Sequence, residues 1–252
     1  MPSVVNVVDA DYIGYYLRRS ASAPSEVYYK VESPSDLARL RETVDTCTAD
    51  RFAYAWTNNF HPYEIGQIIR RRYPLVVGEH HYFNAESWLF SSKEGAPPMS
   101  PIRNWKADYN DTSLTGFSIR YDTSAFSSPG LMAFRKGVDY APDIHDRIPA
   151  DVIGFSVLYA DVWFKSSAVS GNQCLAISFE DNGESVWWES VRLNDYNLHP
   201  GKWQQAFLAK PLPVGHDSLD IKVYLWNPDG EEFVADDLHA ELRSAVDPYV
   251  RK

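Results

Sequence analysis

The stretch VYLWNPDGEEFVADDL, residues 223 to 238, has the pattern of two β-strands joined by a tight turn. Apolar Val223 and Leu225 alternate with two aromatic residues, which is the period of two expected of a half-buried strand. Residues 227 to 230 read Asn-Pro-Asp-Gly, and they favour a turn because proline fixes φ and glycine tolerates a left-handed corner. The stretch therefore predicts a β-hairpin close to the C-terminus.

The second strand of this hairpin contains two adjacent carboxylates, Asp236 and Asp237. With a period of two, Asp236 shares the face of Val234 and Leu238, so we expect it to be buried and Asp237 to be more exposed. A buried carboxylate is costly unless it accepts hydrogen bonds or holds a cation. We expect alanine at position 236 to cost about 1–3 kcal/mol and alanine at position 237 to cost within about 0.5 kcal/mol.

The pattern of short strands continues through residues 113–245, where no convincing helix interrupts it. Residues 181 to 184, Asp-Asn-Gly-Glu, carry the Asn-Gly pair that is typical of hairpins. Eight strand-like segments separated by polar turns predict an antiparallel β-sandwich, most simply a jelly roll. The segments are LTGFSIRY (114–121), LMAFRK (131–136), VIGFSVLYADVWFKS (152–166), CLAISFE (174–180), SVWWESVRL (185–193), WQQAFLAK (203–210), DIKVYLW (220–226) and EFVADDLHAEL (232–242).

The N-terminal part of the chain has a different pattern of predicted secondary structure. Residues 1–24 read as irregular, and residues 25–92 alternate strands with helices in the order β-α-β-α-β, which predicts a small α/β domain. Residues 93–112 are rich in proline and polar residues and predict a linker. The fold class that we expect is therefore α+β in two parts, with a small α/β domain followed by the β-sandwich.

The composition excludes some functions. The chain has 252 residues and a formal net charge of -10, so its average surface repels a nucleic-acid backbone. No apolar run approaches the 18 residues of a membrane span, and the nucleophile-elbow, phosphate-loop and dinucleotide-binding motifs are missing from the sequence. We expect no nucleic-acid partner and no catalytic residue in this chain.

The C-terminal residues resemble a known class of domain. In GKWQQAFLAKPLP (201–213) and the hairpin above, a Gly-x-Trp strand precedes a strand that ends in an aromatic residue and a last strand with an Asp-Asp pair. This order resembles carbohydrate-binding-module-like jelly rolls, and the likeness covers residues 115 to 243. RFAYAWT (51–57) followed by HPYEIGQIIRRRYPLVV (61–77) resembles soluble regions of Bacteroidetes membrane glycosyltransferase-like proteins.

These two resemblances imply a setting and a function. They imply a non-catalytic accessory region of a larger envelope protein, with an extracytoplasmic location (periplasmic or cell-surface) and a glycan as its partner. A membrane would be contacted only through segments absent from this chain. Two alternatives remain open: a glycan-active enzyme related to glycosyltransferases or glycoside hydrolases, and a purely structural protein-interaction module.

Candidate ligand-binding residues follow from the aromatic content of the sandwich. A sugar ring can stack on an exposed aromatic side chain, whereas the alternative role of such a side chain is burial in the core. For Asp236, the resemblance implies a structural calcium ion, and the alternative is that its carboxylate accepts backbone N–H bonds. The aromatic candidates are Trp163, Trp187, Trp188, Tyr224 and Trp226.

Overall fold

The computed structural model describes residues 3–6, 27–29, 31–57, 62–81, 85–110, 119–127, 129–168 and 171–245. The chain divides into two compact units. The first unit contains residues 1–100 with 247–252, and the second contains residues 101–246.

The first unit contains a five-stranded mixed sheet with the strand order β2-β1-β3-β5-β4. Strand β1 is parallel to β2 and β3, whereas β5 is antiparallel to β3 and β4. Strand β1 lies within residues 1–24, which the sequence predicted as irregular; a four-residue parallel strand pairs with distant segments, so its local pattern is weak. The elements are β1 (Ser3–Asn6), β2 (Val27–Tyr29), α1 (Pro34–Thr46), β3 (Arg51–Thr57), α2 (Tyr63–Arg70), β4 (Leu75–His81) and β5 (Ala85–Ser91).

The helices of this unit begin and pack as the sequence pattern indicates. Ser33 forms a capping box at the start of α1: its hydroxyl accepts from the Asp36 N–H at 3.3 Å, and the Asp36 carboxylate accepts from the Ser33 N–H at 3.1 Å. Helix α2 buries Ile65, Ile68 and Ile69. Among the described residues, no helix has the length and hydrophobicity needed to span a bilayer.

The second unit is an antiparallel β-sandwich, as predicted. One sheet has the order β13-β10-β15-β8-β7, with β6 also paired to β15, and the other has the order β12-β11-β14-β9. The jelly-roll connectivity and the α/β assignment of the first unit stay predictions. The strands are β6 (Arg103–Ala107), β7 (Ile119–Tyr121), β8 (Gly130–Phe134), β9 (Ile144–Pro149), β10 (Ser156–Lys165), β11 (Cys174–Asp181), β12 (Glu184–Arg192), β13 (Gln204–Pro211), β14 (Ser218–Trp226) and β15 (Phe233–Ser244).

The hydrophobic core of the sandwich lies between the two sheets. Strand β14 shows a strict alternation of buried and half-buried residues, so every second side chain enters the core. The central strand β10 is buried along most of its length. Fully buried core residues include Leu158, Phe164, Leu175, Ile177, Phe179, Leu219, Ile221, Leu238 and Leu242.

In the second unit, strands β6 and β9 and two short helical turns, one of them a 3-10 turn at Leu193–Tyr196, differ from the sequence prediction. Strand β6 lies inside residues 93–112, the predicted linker, and β9 was not predicted. Both alternate polar and apolar residues only weakly, and each pairs along one neighbouring strand. Ala150–Ile153 forms a single helical turn, α3, so the strand predicted at 152–166 begins only at Ser156.

A β-bulge at Asp237 changes which residues of β15 face the core. Asp161 of β10 pairs with His239 of β15, and Trp163 pairs with Asp236. The interval is two residues on β10 and three on β15, so β15 contains one extra residue. Asp237 absorbs the extra residue with a φ of 50°. Asp236 therefore lies on the outer face of its sheet and does not share the face of Leu238, as the uninterrupted period of two had predicted.

Candidate functional site: an aromatic depression on the four-stranded sheet

Four aromatic side chains line a depression of about 390 Å³ on the outer face of the four-stranded sheet. They are Tyr140, Trp188, Tyr224 and Trp226. We call this set the aromatic platform. Three of its members come from the sheet itself, and the fourth comes from the segment that precedes β9.

Strand β14 and its neighbour β11 create the floor of the platform. The alternation along β14 sends Tyr224 and Trp226 outward while their neighbours fill the core. In register beside them on β11 lie Ala176 and Cys174, and Ser178 follows on the same face. These three residues are small and buried. Because the outward-facing side chains of β11 are small, aromatic rings from its two neighbours, β12 and β14, can lie over it.

Trp188 reaches the platform from the edge strand β12. It is in register with Ser178 of β11, and its indole Nε1 donates a 2.7 Å hydrogen bond to the Tyr224 hydroxyl on the far side of that strand. The Trp188 and Trp226 rings meet edge to face, with centroids 6.1 Å apart and planes at 81°. Trp188 remains 46% exposed. The hydrogen bond and the ring contact fix an aromatic surface that still faces solvent.

Tyr140 completes the platform from outside the regular strands. A single β-bridge pairs Tyr140 with Trp226, and its ring centroid lies 6.1 Å from that of Tyr224 at an angle of 55°. The buried Asn227 holds this segment in place, because its side-chain amide donates to the Val138 and Glu231 carbonyls at 3.2 and 3.0 Å. Tyr140 is 52% exposed.

The platform carries no net charge of its own. Burial raises the pKa of Tyr224, and although the Trp188 indole N–H acts in the opposite direction, the phenol stays protonated at neutral pH. Burial also raises the pKa of the Cys174 thiol beneath the rings, so this cysteine is an unreactive floor residue. The neighbouring Lys222 ammonium donates to both Glu180 carboxylate oxygens, at 2.7 and 2.8 Å, so these two charges balance each other.

The structure brings together three of the five aromatic candidates and separates the other two. Trp188, Tyr224 and Trp226 meet in the platform. Trp187 is in register with the buried Phe179, so it points to the opposite face of β12, where the Lys210 ammonium lies 5.4 Å from its ring centroid.

Trp163 belongs to the other sheet. It lies on the outer face of β10, where the Phe126 ring stacks on it with centroids 3.7 Å apart and planes at 16°. The Phe126 ring in turn meets the edge of Trp203. Trp163 is therefore half-buried, supports the loop that carries Phe126, and lies apart from the platform.

Tyr140 is the platform residue that the sequence prediction missed. It lies in KGVDYAPD, residues 136–143, which has neither strand nor helix periodicity. The single bridge to Trp226 is a tertiary contact between residues far apart in sequence, so no local signal could have identified it.

The Asp236 carboxylate is buried and accepts three backbone hydrogen bonds, as one of the two sequence alternatives expected. The N–H groups of Phe126 and Ser127 donate to one oxygen at 3.0 and 3.1 Å, and the Asp237 N–H donates to the other at 2.8 Å. Asp237 is more exposed than Asp236, as predicted, and pairs with Lys106 at 2.7 Å.

The surroundings of Asp236 fit a hydrogen-bond acceptor better than a calcium ligand. Calcium takes six to eight oxygen ligands, whereas both oxygens of this carboxylate already face N–H donors. Across the described ranges, no three His, Cys, Asp or Glu side chains converge on a point that could hold a metal ion. The calcium assignment stays a prediction.

Comparisons with known proteins give structural neighbours only. No family model matches the sequence, and a search of curated proteins also finds no match. The CBM22-1 xylan-binding domain of Paenibacillus barcinonensis Xyn10C is 16% identical with a TM-score of 0.34, covering 56% of this chain and 95% of that domain. The CBM35 of Cellvibrio japonicus Abf62 is 11% identical with a TM-score of 0.31, covering 56% of this chain and 97% of that module.

A third similar structure is a family 16 carbohydrate-binding module, which is 13% identical with a TM-score of 0.33 and covers 50% of this chain and 86% of that module. All three neighbours are carbohydrate-binding modules, the class that the C-terminal residues resemble. The β-sandwich described above rests on its own strand pairings. The likeness of the N-terminal part to glycosyltransferase-like proteins stays a prediction.

Proposed function

We propose that the second unit binds a glycan through the aromatic platform, without chemical change to the glycan. The observation that carries this proposal is the fixed and exposed arrangement of the Trp188 indole beside Tyr140, Tyr224 and Trp226. Soluble domains normally bury aromatic side chains, because each ring removes a large apolar area from water. An exposed cluster rimmed by polar residues marks a binding surface.

The chemistry of the platform suits a sugar. The C–H face of a pyranose is flat and apolar, and it can lie against an indole or phenol ring, while its rim of hydroxyl groups needs hydrogen-bond partners. The Tyr224 oxygen already accepts from Trp188, so its own O–H is available as a donor. A volume of about 390 Å³ lies within the range of about 300–1,000 Å³ that is usual for small-ligand sites.

Catalysis by the platform is a weaker alternative. Glycoside hydrolysis requires two carboxyl groups that flank the bond to be cleaved, about 5–10 Å apart. The four residues that line the depression include no carboxylate. Glu180, on the same face, is already bound by Lys222 through both oxygens. The four lining residues therefore support binding and include no carboxylic acid that could act as a general acid or base.

We also propose an extracytoplasmic setting, as an accessory region of a larger envelope protein. The support for this proposal is the resemblance noted in the sequence and the net charge of -10. The open reading frame of the source genome tests it. Transmembrane helices encoded upstream would support the proposal, whereas a natural start at Met1 without an export signal would contradict it.

Adjacent tryptophans give a matched pair of variants for testing glycan binding. Trp187 and Trp188 are 49% and 46% exposed, but they face opposite sides of β12. Against a panel of soluble neutral polysaccharides, we expect Trp188→Ala to weaken binding at least tenfold, which corresponds to a loss of about 1.4 kcal/mol. We expect Trp187→Ala to bind like the wild type. Affinity electrophoresis and calorimetry measure both.

Two results would contradict the proposal. The first is equal loss of binding in Trp187→Ala and Trp188→Ala, since that would place the ligand elsewhere. The second is an absence of binding to every polysaccharide of the panel by a folded wild-type protein. Tyr224→Phe refines the test, because it keeps the ring and removes the hydroxyl, so it should weaken binding less than Trp188→Ala.

A further inference from the structure

A second depression, larger than the platform, lies on the outer face of the six-stranded sheet. Its volume is about 920 Å³, and residues of β7, β8, β10 and β15 line it together with the loop before β8. Ala133 and Val234 are directly paired neighbours on β8 and β15 and form its floor. We call this depression the cationic groove. It lies on the opposite side of the sandwich from the aromatic platform.

Positive charge is concentrated in the cationic groove. Arg120, Arg135 and Lys165 line it, and Glu232 is the one carboxylate among its lining residues. Arg120 pairs with Asp122 at 3.0 Å. Among the described residues Arg135 and Lys165 form no ion pair, although the Asp122 carboxylate also interacts electrostatically with Lys165. In a protein whose formal net charge is -10, a depression lined by three cations and one carboxylate favours an anionic ligand.

Polar groups complete the groove, and its wall is held by specific contacts. The exposed hydroxyls of Ser124 and Ser167 lie among its lining residues. The Trp203 indole donates to the Ser124 carbonyl at 2.9 Å. Asp236 binds the N–H groups of Phe126 and Ser127, and the Phe126 ring stacks on Trp163. The loop that carries Ser124 is therefore fixed at both sides, so the groove is a formed surface.

We propose that the cationic groove binds a carboxylate-bearing saccharide, with Arg135 and Lys165 facing the carboxylate. Arginine offers paired N–H donors and lysine a point charge, which together match a carboxylate. Ser124 and Ser167 supply partners for sugar hydroxyls, and the Ala133–Val234 floor accommodates an apolar C–H face. A nucleic acid is disfavoured because its many phosphates would meet the acidic remainder of the surface.

The test compares an acidic oligosaccharide with its own neutral counterpart. The probe is a trimer of galacturonic acid, and the control ligand is the same trimer after its carboxyl groups are reduced to alcohols. By calorimetry with the full chain, we expect the acidic trimer to bind at least tenfold more tightly, and raising the NaCl concentration to weaken that binding.

Variants assign the binding to the groove. We expect the double variant Arg135→Gln/Lys165→Met to lose at least tenfold in affinity for the acidic trimer, and Lys165→Arg to retain most of it. Arg39→Gln is the charge control for each single variant, Arg135→Gln and Lys165→Met, because Arg39 is an exposed cation on α1 and its substitution also removes one charge. Circular dichroism of each variant confirms that the fold is kept.

The outcomes separate this inference from the proposed platform function. Trp188→Ala should leave the affinity for the acidic trimer unchanged, and the groove variant should leave binding of neutral polysaccharides unchanged. Equal affinity for the acidic and reduced trimers overturns the inference, as does equal loss of affinity in Arg39→Gln. Competition by sodium sulfate or polyglutamate at the same concentration as the trimer also overturns it, because the groove would then bind any anion.

Discussion

Asp236 and its neighbour Asp237 have different roles that single substitutions can separate. Replacing Asp236 with Ala removes a fully buried acceptor from three partly buried N–H donors, so we expect a loss of about 1–3 kcal/mol in the free energy of unfolding. Asp237→Asn is the matched control, because asparagine tolerates the φ of 50° and only a partly exposed pair with Lys106 is lost. That variant should lose at most about 1 kcal/mol. Urea denaturation of both variants measures the difference, and equal losses would refute the role assigned to Asp236.

The backbone at Asp237 changes one expectation drawn from the sequence. Alanine at position 237 was expected to cost within about 0.5 kcal/mol, as on an ordinary solvated face. A φ of 50° places this residue in the left-handed region, where alanine costs about 1–2 kcal/mol. The sequence predicted the burial of Asp236, but for the wrong reason. The alternation of apolar residues contains no sign of a bulge, since aspartate is acceptable both in a strand and at a left-handed position.

The Asn182-Gly183 turn joins β11 to β12 and carries Trp188 on its return strand. Both residues have positive φ, 51° and 85°, as a two-residue hairpin requires. A Cβ at Gly183 meets no atom within 4 Å, so Gly183→Ala should lose about 1 kcal/mol through backbone strain alone. Gly154→Ala is the matched control, because that glycine also has open space but a φ of -68°. It should be neutral or slightly stabilising in thermal unfolding. Equal melting temperatures for the two variants would contradict this reasoning.

Asp146 of β9 forms hydrogen bonds to β6, and these bonds link the two sheets of the sandwich. Its carboxylate accepts from the Arg103 guanidinium at 2.5 Å and from the Trp105 indole at 3.1 Å. Burial raises the pKa of Asp146. The hydrogen bonds from Arg103, the Arg147 N–H and Trp105 lower this pKa by more, so that its net value lies below the ordinary one. A carboxyl whose pKa is lower in the folded state stabilises the fold above its unfolded pKa, and this stabilisation is lost as pH falls through the folded value.

The pH dependence of the stability that Asp146 contributes can be measured with one substitution. At pH 7 we expect Asp146→Asn to be less stable than the wild type by up to about 1 kcal/mol, since the pair is partly exposed. The difference should shrink as the pH falls below about 4, the ordinary pKa of aspartate. Urea denaturation at pH 7, 4 and 2.5 follows it, with the exposed Asp217→Asn as control. A difference that stays constant down to pH 2.5 would show that the Asp146 charge has no part in joining the strands.

Elements with a local signal were predicted, and those that depend on distant partners were not. The Ser33 cap, the apolar spacing of α1 and the Asn182-Gly183 pair each act within a few residues, so the sequence shows them directly. Strand β6 follows a run of prolines, and its side chains Arg103 and Trp105 bind Asp146, which lies 43 and 41 residues away. The platform shows the same division: Tyr224 and Trp226 follow from alternation, whereas Tyr140 depends on a single bridge.

At the scale of the whole molecule, the second unit presents two outer faces with different chemistry. The four residues that line the platform are aromatic and uncharged, whereas the residues that line the groove include three cationic side chains and one carboxylate. The outward-facing residues of each strand, which alternate with the core residues, determine the chemistry of each face. Under the two proposals, a neutral and an acidic saccharide bind at separate places on one sandwich, so the two sets of variants should act independently.

The boundary between the two units predicts where a protease will cut the chain. Residues 97–100 lie in neither helix nor strand and are exposed or half-buried, whereas the Ile102 N–H already donates to the Leu242 carbonyl at 2.7 Å. The bridge between Val76 and Ala96 ties the preceding residues to the first unit. We expect brief digestion with proteinase K to cut first within 97–101, because this segment is largely exposed and lies outside the helices and strands. Mass spectrometry of the fragments locates the cut. Initial cleavage within 103–107 would contradict the pairing of β6 with β15 and restore the full linker of residues 93–112 that the sequence predicted.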